Sequence, residues 1–293
     1  MNSKSKSDIK MTKGAVKASP YGWSVGLHIV TKAISAGSYL MPFIAGLFYP
    51  GLMEGPIFIS GCILAIFFLI VTGILQIIGL DKPSQFASVL IRPKWDSWHT
   101  RGAIIVPLFA AGLISVMLTF RSNPSLSNTL QWPTAIMALF TAVYTAFFLA
   151  KEGSDFLKNR TIPLRMFLMP FIAASSVLLI ISYPMAIVMG SGLWRSFLAN
   201  VLILCIPANI MLLLIGVYIG HVTETASHTA SYIRSGNAKF IFWGLSMLIG
   251  NIMPLILLLL LDIPFFIPAA LVLVGLVASE LLFLRAARRF DNA

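Results

Sequence analysis

Charged residues are scarce in this chain. Asp, Glu, Lys and Arg make up 11% of its 293 residues, whereas hydrophobic residues make up 58%. Soluble domains carry about 25% charged residues, and the mean hydropathy of +0.90 is far too high for that class. This composition excludes an ordinary soluble protein and predicts an integral membrane protein.

Cysteine and histidine are also scarce. Cys62 and Cys205 both lie inside apolar runs, and no second cysteine or histidine stands at a metal-binding spacing from either of them. We therefore expect no disulfide framework and no iron–sulfur site in this chain. The net charge of +11 does not indicate nucleic-acid binding, because the basic residues are spread between apolar runs and form no patch with interleaved aromatics.

Long apolar runs, in contrast, are abundant. A helix that crosses the hydrocarbon core needs about 20 mostly apolar residues, and eight runs qualify, which predicts an all-α protein with eight transmembrane helices. The lysine-rich segment 1–20 lacks an apolar core, so it predicts a solvated basic tail and not a cleaved signal peptide. The remaining residues 21–293 form one membrane domain with halves at about 21–151 and 165–289. The predicted spans are 22–49, 56–80, 102–120, 132–150, 165–189, 195–220, 240–261 and 264–285.

The distribution of basic residues predicts the orientation in the cell (inner) membrane. Of the 21 Lys and Arg residues, 18 fall in the tail, the C-terminus and the connections on one predicted side of the membrane. Only Arg121 and Arg195 fall on the other side, and Lys32 lies within the first span. Because cytoplasmic loops are enriched in Lys and Arg, we expect both termini and the loop between spans 2 and 3 to be cytoplasmic.

That loop carries the most specific pattern in the chain. The stretch "GLDKPSQFASVLIRPKWDSWHTRGA" (79–103) resembles the corresponding loop of the NrfD/polysulfide-reductase membrane-subunit family, and weaker likenesses run from Trp23 to Arg289. The matching loop positions are Leu80, Asp81, Pro83, Phe86, Leu90, Arg92, Pro93, Trp95, Ser97, Trp98, Arg101, Gly102 and Ala103.

The resemblance implies a particular architecture and function. Members of this family are built as two four-helix bundles and exchange electrons between a membrane quinone, menaquinone or ubiquinone, and a docked ferredoxin-like iron–sulfur subunit. That subunit serves a large molybdopterin-type catalytic subunit, and the membrane chain carries no haem or metal of its own. In periplasm-facing members the docking face points outward. Here the charge bias predicts a cytoplasmic partner, unless the basic face complements an acidic partner and the bias has another origin.

The quinone site is expected near the basic side of the membrane. His28 and Tyr144 lie at a similar depth in spans 1 and 4, and the resemblance places a histidine and a tyrosine of these helices at the quinone headgroup. A buried histidine satisfied by a carbonyl, and ordinary aromatic packing, are the alternatives. In the loop, the resemblance and the residue chemistry suggest that aromatic and imidazole side chains close over the headgroup and that charged residues contact a quinone oxygen or the iron–sulfur subunit. The predicted quinone contacts there are Trp95, Trp98, His99 and Arg101, and the predicted docking residues are Asp81, Arg92 and Lys94.

Proton transfer needs ionisable groups within reach of that site. Lys32 lies one turn beyond His28, near the bilayer middle, where an ammonium must pair, lose its proton or meet water. Glu280, Glu224 and His221 are the other expected members of a proton path. For Glu280, an ion pair with an arginine at the end of its own helix is an equal alternative. For Glu224 and His228, a hydrated loop is the stronger interpretation.

Three other functions remain open. The Pro- and Gly-containing spans are also typical of transporters with discontinuous helices. A haem-containing quinone anchor would need pairs of intramembrane histidines, whereas only His28 lies clearly within a span. A purely structural anchor would leave His28 and Lys32 without a purpose. Proton pumping is not predicted, because the outer half of the membrane shows no matching chain of ionisable residues.

Overall fold

Eight long helices dominate the structure, a computed structural model that describes residues 22–53, 55–79, 98–185, 192–261 and 263–291. Within these ranges all regular elements are helical, and eight of them are long and apolar enough to cross a membrane. The eight predicted spans are therefore confirmed. They are α1 (Trp23–Phe48), α2 (Pro56–Ile78), α3 (Trp98–Ser122), α4 (Pro124–Glu152), α5 (Thr161–Ser182), α6 (Gly192–Tyr218), α7 (Ile241–Leu260) and α8 (Phe266–Asp291).

Some helices begin or end at residues other than the predicted ones, because capping interactions and not hydropathy set the helix boundary there. α4 begins at Pro124, eight residues before the predicted start, because the Asn123 side chain accepts a hydrogen bond from the Leu126 N–H (3.1 Å) and proline suits the first helical position. α5 begins at Thr161, so Arg165 is inside this helix and not in the preceding loop.

The helix ends define two faces of the molecule. The basic face is the side at which α1 begins and α2 ends, and the opposite face is the side at which α1 ends and α2 begins. α4 and α6 also end at the basic face, and α5 and α7 begin there. α3 and α4 meet at the opposite face, around Asn123.

Helix α1 is the most buried of the spans and packs against α2, α4, α5 and α8. Its contact with α5 requires Gly37, because a Cβ atom at this position would lie 2.1 Å from the Pro170 carbonyl oxygen. α5 also packs on α6 and α8, and α3 packs on α4. α1 and α5, the first helices of the two halves, are therefore in direct contact at the centre of the molecule.

Helix α7 begins as a π-helix over Ile241–Ile252 and continues as an α-helix over Met253–Leu260. The Asn251 amide donates to the Ser246 carbonyl (2.7 Å), and its oxygen accepts from the Asn209 amide of α6 (2.8 Å). These bonds satisfy a buried polar pair between two membrane helices.

A short helix, Glu224–Arg234, connects α6 and α7 at the basic face, where the sequence predicted a hydrated loop. The Thr223 hydroxyl caps it by accepting from the Ala226 N–H (3.2 Å), and Ala226 and Ala230 are buried on its inner side. Glu224 and His228 are exposed, as expected of a hydrated connection, although the segment is helical.

Five of the described spans contain a proline beyond the first turn of one uninterrupted α-helix. Each of these helices runs continuously past its proline, so in the described part of the chain the discontinuous helices of the transporter alternative are not observed at these sites. The prolines are Pro42, Pro107, Pro133, Pro170 and Pro207.

Candidate functional site

Lys32 is the most deeply buried cation at the centre of the molecule, with 0% of its surface exposed. Its ammonium donates a hydrogen bond to the Thr145 hydroxyl of α4 and lies 4.1 Å from the centroid of the Tyr144 ring. A charge inside a membrane protein is costly unless it is paired or bonded. Packing of α1 against α4 supplies these partners.

Glu280 supplies the negative charge near Lys32. Its carboxylate accepts a hydrogen bond from Arg165 Nη2 of α5 (2.6 Å), and its charge acts on Lys32 only from beyond ion-pair distance. Arg165 and Glu280 are 5% and 7% exposed, so the pair is shielded from water. The charged cluster Arg165, Glu280 and Lys32 thus joins α5, α8 and α1.

The pairing of Glu280 corrects one sequence prediction. An arginine at the end of its own helix was an expected partner, but Arg165 lies 115 positions away in the chain. The Arg165 guanidinium also lies 4.6 Å above the Phe283 ring. A cavity of about 10 Å³ borders this ion pair, which is room for about one water molecule.

His28 and Tyr144 are in contact, so their predicted common depth is observed. His28 Nε2 lies 3.4 Å from the Tyr144 hydroxyl, and His28 Nδ1 lies 3.4 Å from the Thr72 carbonyl oxygen of α2. Because a carbonyl only accepts, the proton of the neutral ring belongs on Nδ1, and Nε2 then accepts from Tyr144. The Thr72 contact agrees equally well with a structural histidine, so the quinone-binding role of both residues stays a prediction.

The start of α3 packs against α4 beside this contact. The Trp98 ring stacks on Phe147 (centroids 4.6 Å apart), one turn from Tyr144, and the Arg101 guanidinium lies 4.6 Å above the Trp98 ring. Gly102 touches Tyr144 so closely that a Cβ atom would lie 2.2 Å from the Tyr144 ring. The glycine of the "RGA" sequence therefore lets α3 approach Tyr144.

Two predicted proton-path residues lie apart from this contact. His221 is half-buried three residues after the end of α6, where its Nε2 donates to the Val217 carbonyl (3.1 Å) and its ring stacks on Phe156, 6.0 Å away. Phe156 in turn packs against Phe283, which brings His221 to the Arg165 side of the charged cluster. Glu224 is exposed on the short connecting helix.

Several predicted loop residues lie outside the described ranges. These are Asp81, Arg92, Lys94 and Trp95; for His99, the structure describes the backbone in α3 but not the side chain.

Sequence reasoning missed Arg165 and Thr145 as members of the site. Pro163, two residues before Arg165, was a signal that a helix begins earlier and includes the arginine. Thr145 belongs to a series of polar residues at helical spacing in α4, which was a signal for a polar face in an apolar span. In both cases the partner residue is far away in the sequence.

The arrangement provides hydrogen-bond donors and proton carriers in one buried region. The His28 imidazole lies 3.4 Å from the Tyr144 hydroxyl, and the Lys32 ammonium lies 4.1 Å from the centroid of the same tyrosine ring. Within the described ranges, no group of three or more His, Cys, Asp and Glu side chains is placed to hold a metal ion. The chemistry of these residues is the binding of polar oxygen atoms and the transfer of protons.

One comparison with known proteins gave a match. A family model described as "Polysulphide reductase, NrfD" matches residues 17–290, nearly the whole chain. A search of curated proteins found no match.

Proposed function

The chain belongs to the polysulphide reductase NrfD family, and we propose that it is the membrane subunit through which an oxidoreductase complex exchanges electrons with quinone. Because the chain belongs to this family and has eight apolar helices, it is a multi-pass membrane subunit of a polysulfide-reductase-type complex. The proposal adds a bound menaquinone or ubiquinone, the residues that hold it, and the face at which the partner docks.

The observation that carries the proposal is the contact between His28 and Tyr144 beside Lys32. A quinone headgroup has carbonyl oxygens that need hydrogen-bond donors, and its reduction takes up two electrons and two protons. A quinone oxygen can replace His28 Nε2 as the acceptor of the Tyr144 hydroxyl, and a His28 ring that takes up a second proton can donate from Nε2. The Lys32 ammonium lies against the same tyrosine ring. A buried site with few polar groups is typical of binding sites for small molecules.

Each residue has a distinct part in this chemistry. His28 and Tyr144 orient the quinone oxygens and pass protons to or from them. Lys32 holds a proton next to Tyr144, and Glu280 stabilises the charged ammonium while Arg165 keeps the carboxylate in position. Loss of a quinone hydrogen bond is expected to weaken binding about tenfold.

The basic face is the proposed docking surface for an iron–sulfur (ferredoxin-like) subunit that delivers electrons from, or to, a large molybdopterin-type subunit. Trp98 and Arg101 lie at this face, within two turns of Tyr144 along the packed helices α3 and α4. The adjoining residues Asp81, Arg92, Lys94, Trp95 and His99 are proposed to complete the surface. The excess of Lys and Arg supports a cytoplasmic position for this face.

The helix contacts also support the proposed division into two four-helix bundles. α1 packs on α2 and α4, and α3 packs on α4; in the second half, α5 packs on α6 and α8, and α7 packs on α8. The site at His28 belongs to the first bundle, whereas the charged cluster joins it to the second.

Purification of the tagged protein from its native membranes tests this function. We expect an iron–sulfur subunit and a large cofactor-bearing subunit to accompany it, and quinone to be present in lipid extracts. His28→Ala and Tyr144→Phe should each lower the bound quinone about tenfold, because each removes a partner of the headgroup.

Matched variants distinguish a lost quinone contact from general damage. His228→Ala and Tyr218→Phe alter the same residue types at exposed positions, and they should retain quinone and partners. A chain that purifies without partners and without quinone contradicts the proposal.

A further inference from the structure

A large cavity opens at the opposite face of the molecule, among the ends of α1, α2, α3 and α4. Its volume of about 930 Å³ falls in the range of about 300–1,000 Å³ that is usual for sites that bind small molecules. Phe43 and Trp132 line it five and eight residues from the ends of their helices, which is about 8 and 12 Å along the helix axis. The cavity therefore extends from the level of the lipid headgroups into the upper part of the hydrocarbon region.

The wall of the cavity that α1 and α2 form is mostly apolar. Phe43, Leu47 and Ile59 line this wall, and Ser60 is its polar member. The Phe43 ring meets the Trp132 ring of α4 edge to face, with centroids 5.2 Å apart. Leu47 is 50% exposed, so apolar surface at the mouth of the cavity is available to a ligand.

Packed aromatic rings close the cavity toward the middle of the membrane. Tyr39 is fully buried one turn from Phe43 in α1, and its ring packs against Phe58 of α2 (centroids 5.9 Å apart) and Phe109 of α3 (6.2 Å). The Tyr39 hydroxyl donates to the Gln131 carbonyl of α4 (3.0 Å). A ligand of this cavity therefore enters from the membrane interface and stays at that depth.

The wall that α3 and α4 form is polar. The Gln131 amide donates to Asn128 Oδ1 (3.3 Å), and the Ser127 hydroxyl donates to the Val116 carbonyl (3.4 Å). Arg121, in the last turn of α3, supplies the positive charge. Among the described residues that line the cavity there is no carboxylate; Glu54, in the connection between α1 and α2, lies outside the described residues.

Arg121 differs from Arg195, the other basic residue on this side of the molecule. The Arg195 guanidinium donates to the Ser182 carbonyl (3.1 Å) and lies 4.5 Å from the centroid of the Tyr183 ring, so it has partners within the second half of the chain. Arg121 makes no ion pair or hydrogen bond with any residue that the structure describes. Its guanidinium is therefore available to an anion, and its planar arrangement of donors suits phosphate oxygens.

We propose that this cavity binds an anionic phospholipid. The lipid phosphate accepts hydrogen bonds from the Arg121 guanidinium and the Asn128 amide, and an acyl chain lies against the apolar wall. The two unlike walls match the two unlike parts of this ligand, and basic pockets between membrane helices are typical sites for anionic headgroups. The bound lipid joins the pair α1 and α2 to the pair α3 and α4. This site does not depend on the proposed quinone function.

Lipid retention in the purified complex tests the site. The complete complex is reconstituted in nanodiscs with equal amounts of phosphatidylglycerol and phosphatidylcholine and is then extracted into detergent. Native mass spectrometry of the membrane subunit identifies the lipids that stay bound. We expect phosphatidylglycerol to be retained in preference, and Arg121→Gln to lower its retention about tenfold or more, because the phosphate loses a charge-assisted hydrogen bond.

Arg195→Gln is the matched control, because it removes the same charge from the same side of the molecule but does not line the cavity. Arg121→Lys should keep most of the retained phosphatidylglycerol, because it keeps the charge. Equal retention of the two lipids by the unmodified protein, or unchanged retention of phosphatidylglycerol in Arg121→Gln, would overturn the proposal.

A second pair of variants tests the apolar wall without altering charge. Ile59→Trp fills part of the cavity and should also lower the retention of phosphatidylglycerol several-fold. Ile63→Trp is its control, because Ile63 lies one turn further along α2, is 55% exposed and does not line the cavity. Retention that falls in Arg121→Gln but not in Ile59→Trp would mean that the cavity holds a phosphate without its chain, which would overturn a lipid as the occupant. A protein that retains phosphatidylglycerol but no quinone would contradict the proposed function and leave the lipid site intact.

Discussion

At the scale of single residues, Glu280 is the centre of the charge balance inside the membrane domain. Its carboxylate is paired with the Arg165 guanidinium at 2.6 Å, and its charge acts on Lys32 from beyond ion-pair distance. Removal of one partner from a buried ion pair leaves an uncompensated charge, which is more damaging than the pair itself is stabilising. The three members of the charged cluster should therefore differ in their tolerance of substitution.

We expect Glu280→Gln to destabilise the protein by about 3–5 kcal/mol, because the buried Arg165 guanidinium loses the carboxylate with which it is paired. Lys32→Met should be much better tolerated, because Glu280 keeps Arg165 as its partner. Thermal unfolding in detergent, followed by size-exclusion chromatography, measures the order. Equal or greater damage from Lys32→Met would show that Glu280 does not hold this central position.

At the scale of helices, the contact between α3 and α4 connects the loop of spans 2 and 3 to the candidate site. The "RGA" sequence that belongs to the family-like loop pattern enters α3, and its glycine lies against Tyr144. The position of Tyr144, and with it the contact to His28, therefore depends on the absence of a side chain at residue 102.

Gly102→Ala should push α3 away from Tyr144, because the new Cβ would lie 2.2 Å from a ring atom. Overpacking of this kind costs about 1–3 kcal/mol, and we expect a lower unfolding temperature together with weaker quinone binding. Gly73→Ala in α2 is the control, since its Cβ would meet nothing within 4 Å. If Gly102→Ala behaves like this control, the close approach has no role in holding Tyr144.

At the scale of the whole molecule, the two faces differ in charge, and a large cavity opens at one of them. The basic face carries most of the Lys and Arg residues, and the opposite face carries the cavity of about 930 Å³. The site at His28 lies nearer the basic face, and the cavity lies among the helix ends of the opposite face.

The orientation of these faces in the membrane is predicted to follow the charge bias. In a background in which Cys62 and Cys205 are replaced by Ala, Ser125→Cys at the start of α4 should react with a membrane-impermeant maleimide on intact cells. Ser235→Cys, exposed at the basic face after the short connecting helix, should react only after permeabilisation. The reverse pattern would place the proposed electron-transfer partner outside the cytoplasm.

The sequence by itself determined the class of the protein, its eight spans and the depth of its unusual polar residues. Membrane-spanning helices need long apolar runs, so hydropathy locates them within a few residues. The helical rise then gives depth, which was enough to predict that His28 and Tyr144 lie at a common level. The same argument identified Lys32 as a buried charge that must be paired.

Only the tertiary structure decided which side chains meet at that depth. Glu280 pairs with Arg165 of α5 and not with its own helix end, and Thr145 bonds to Lys32, because neighbours across a helix interface depend on packing angle and rotation.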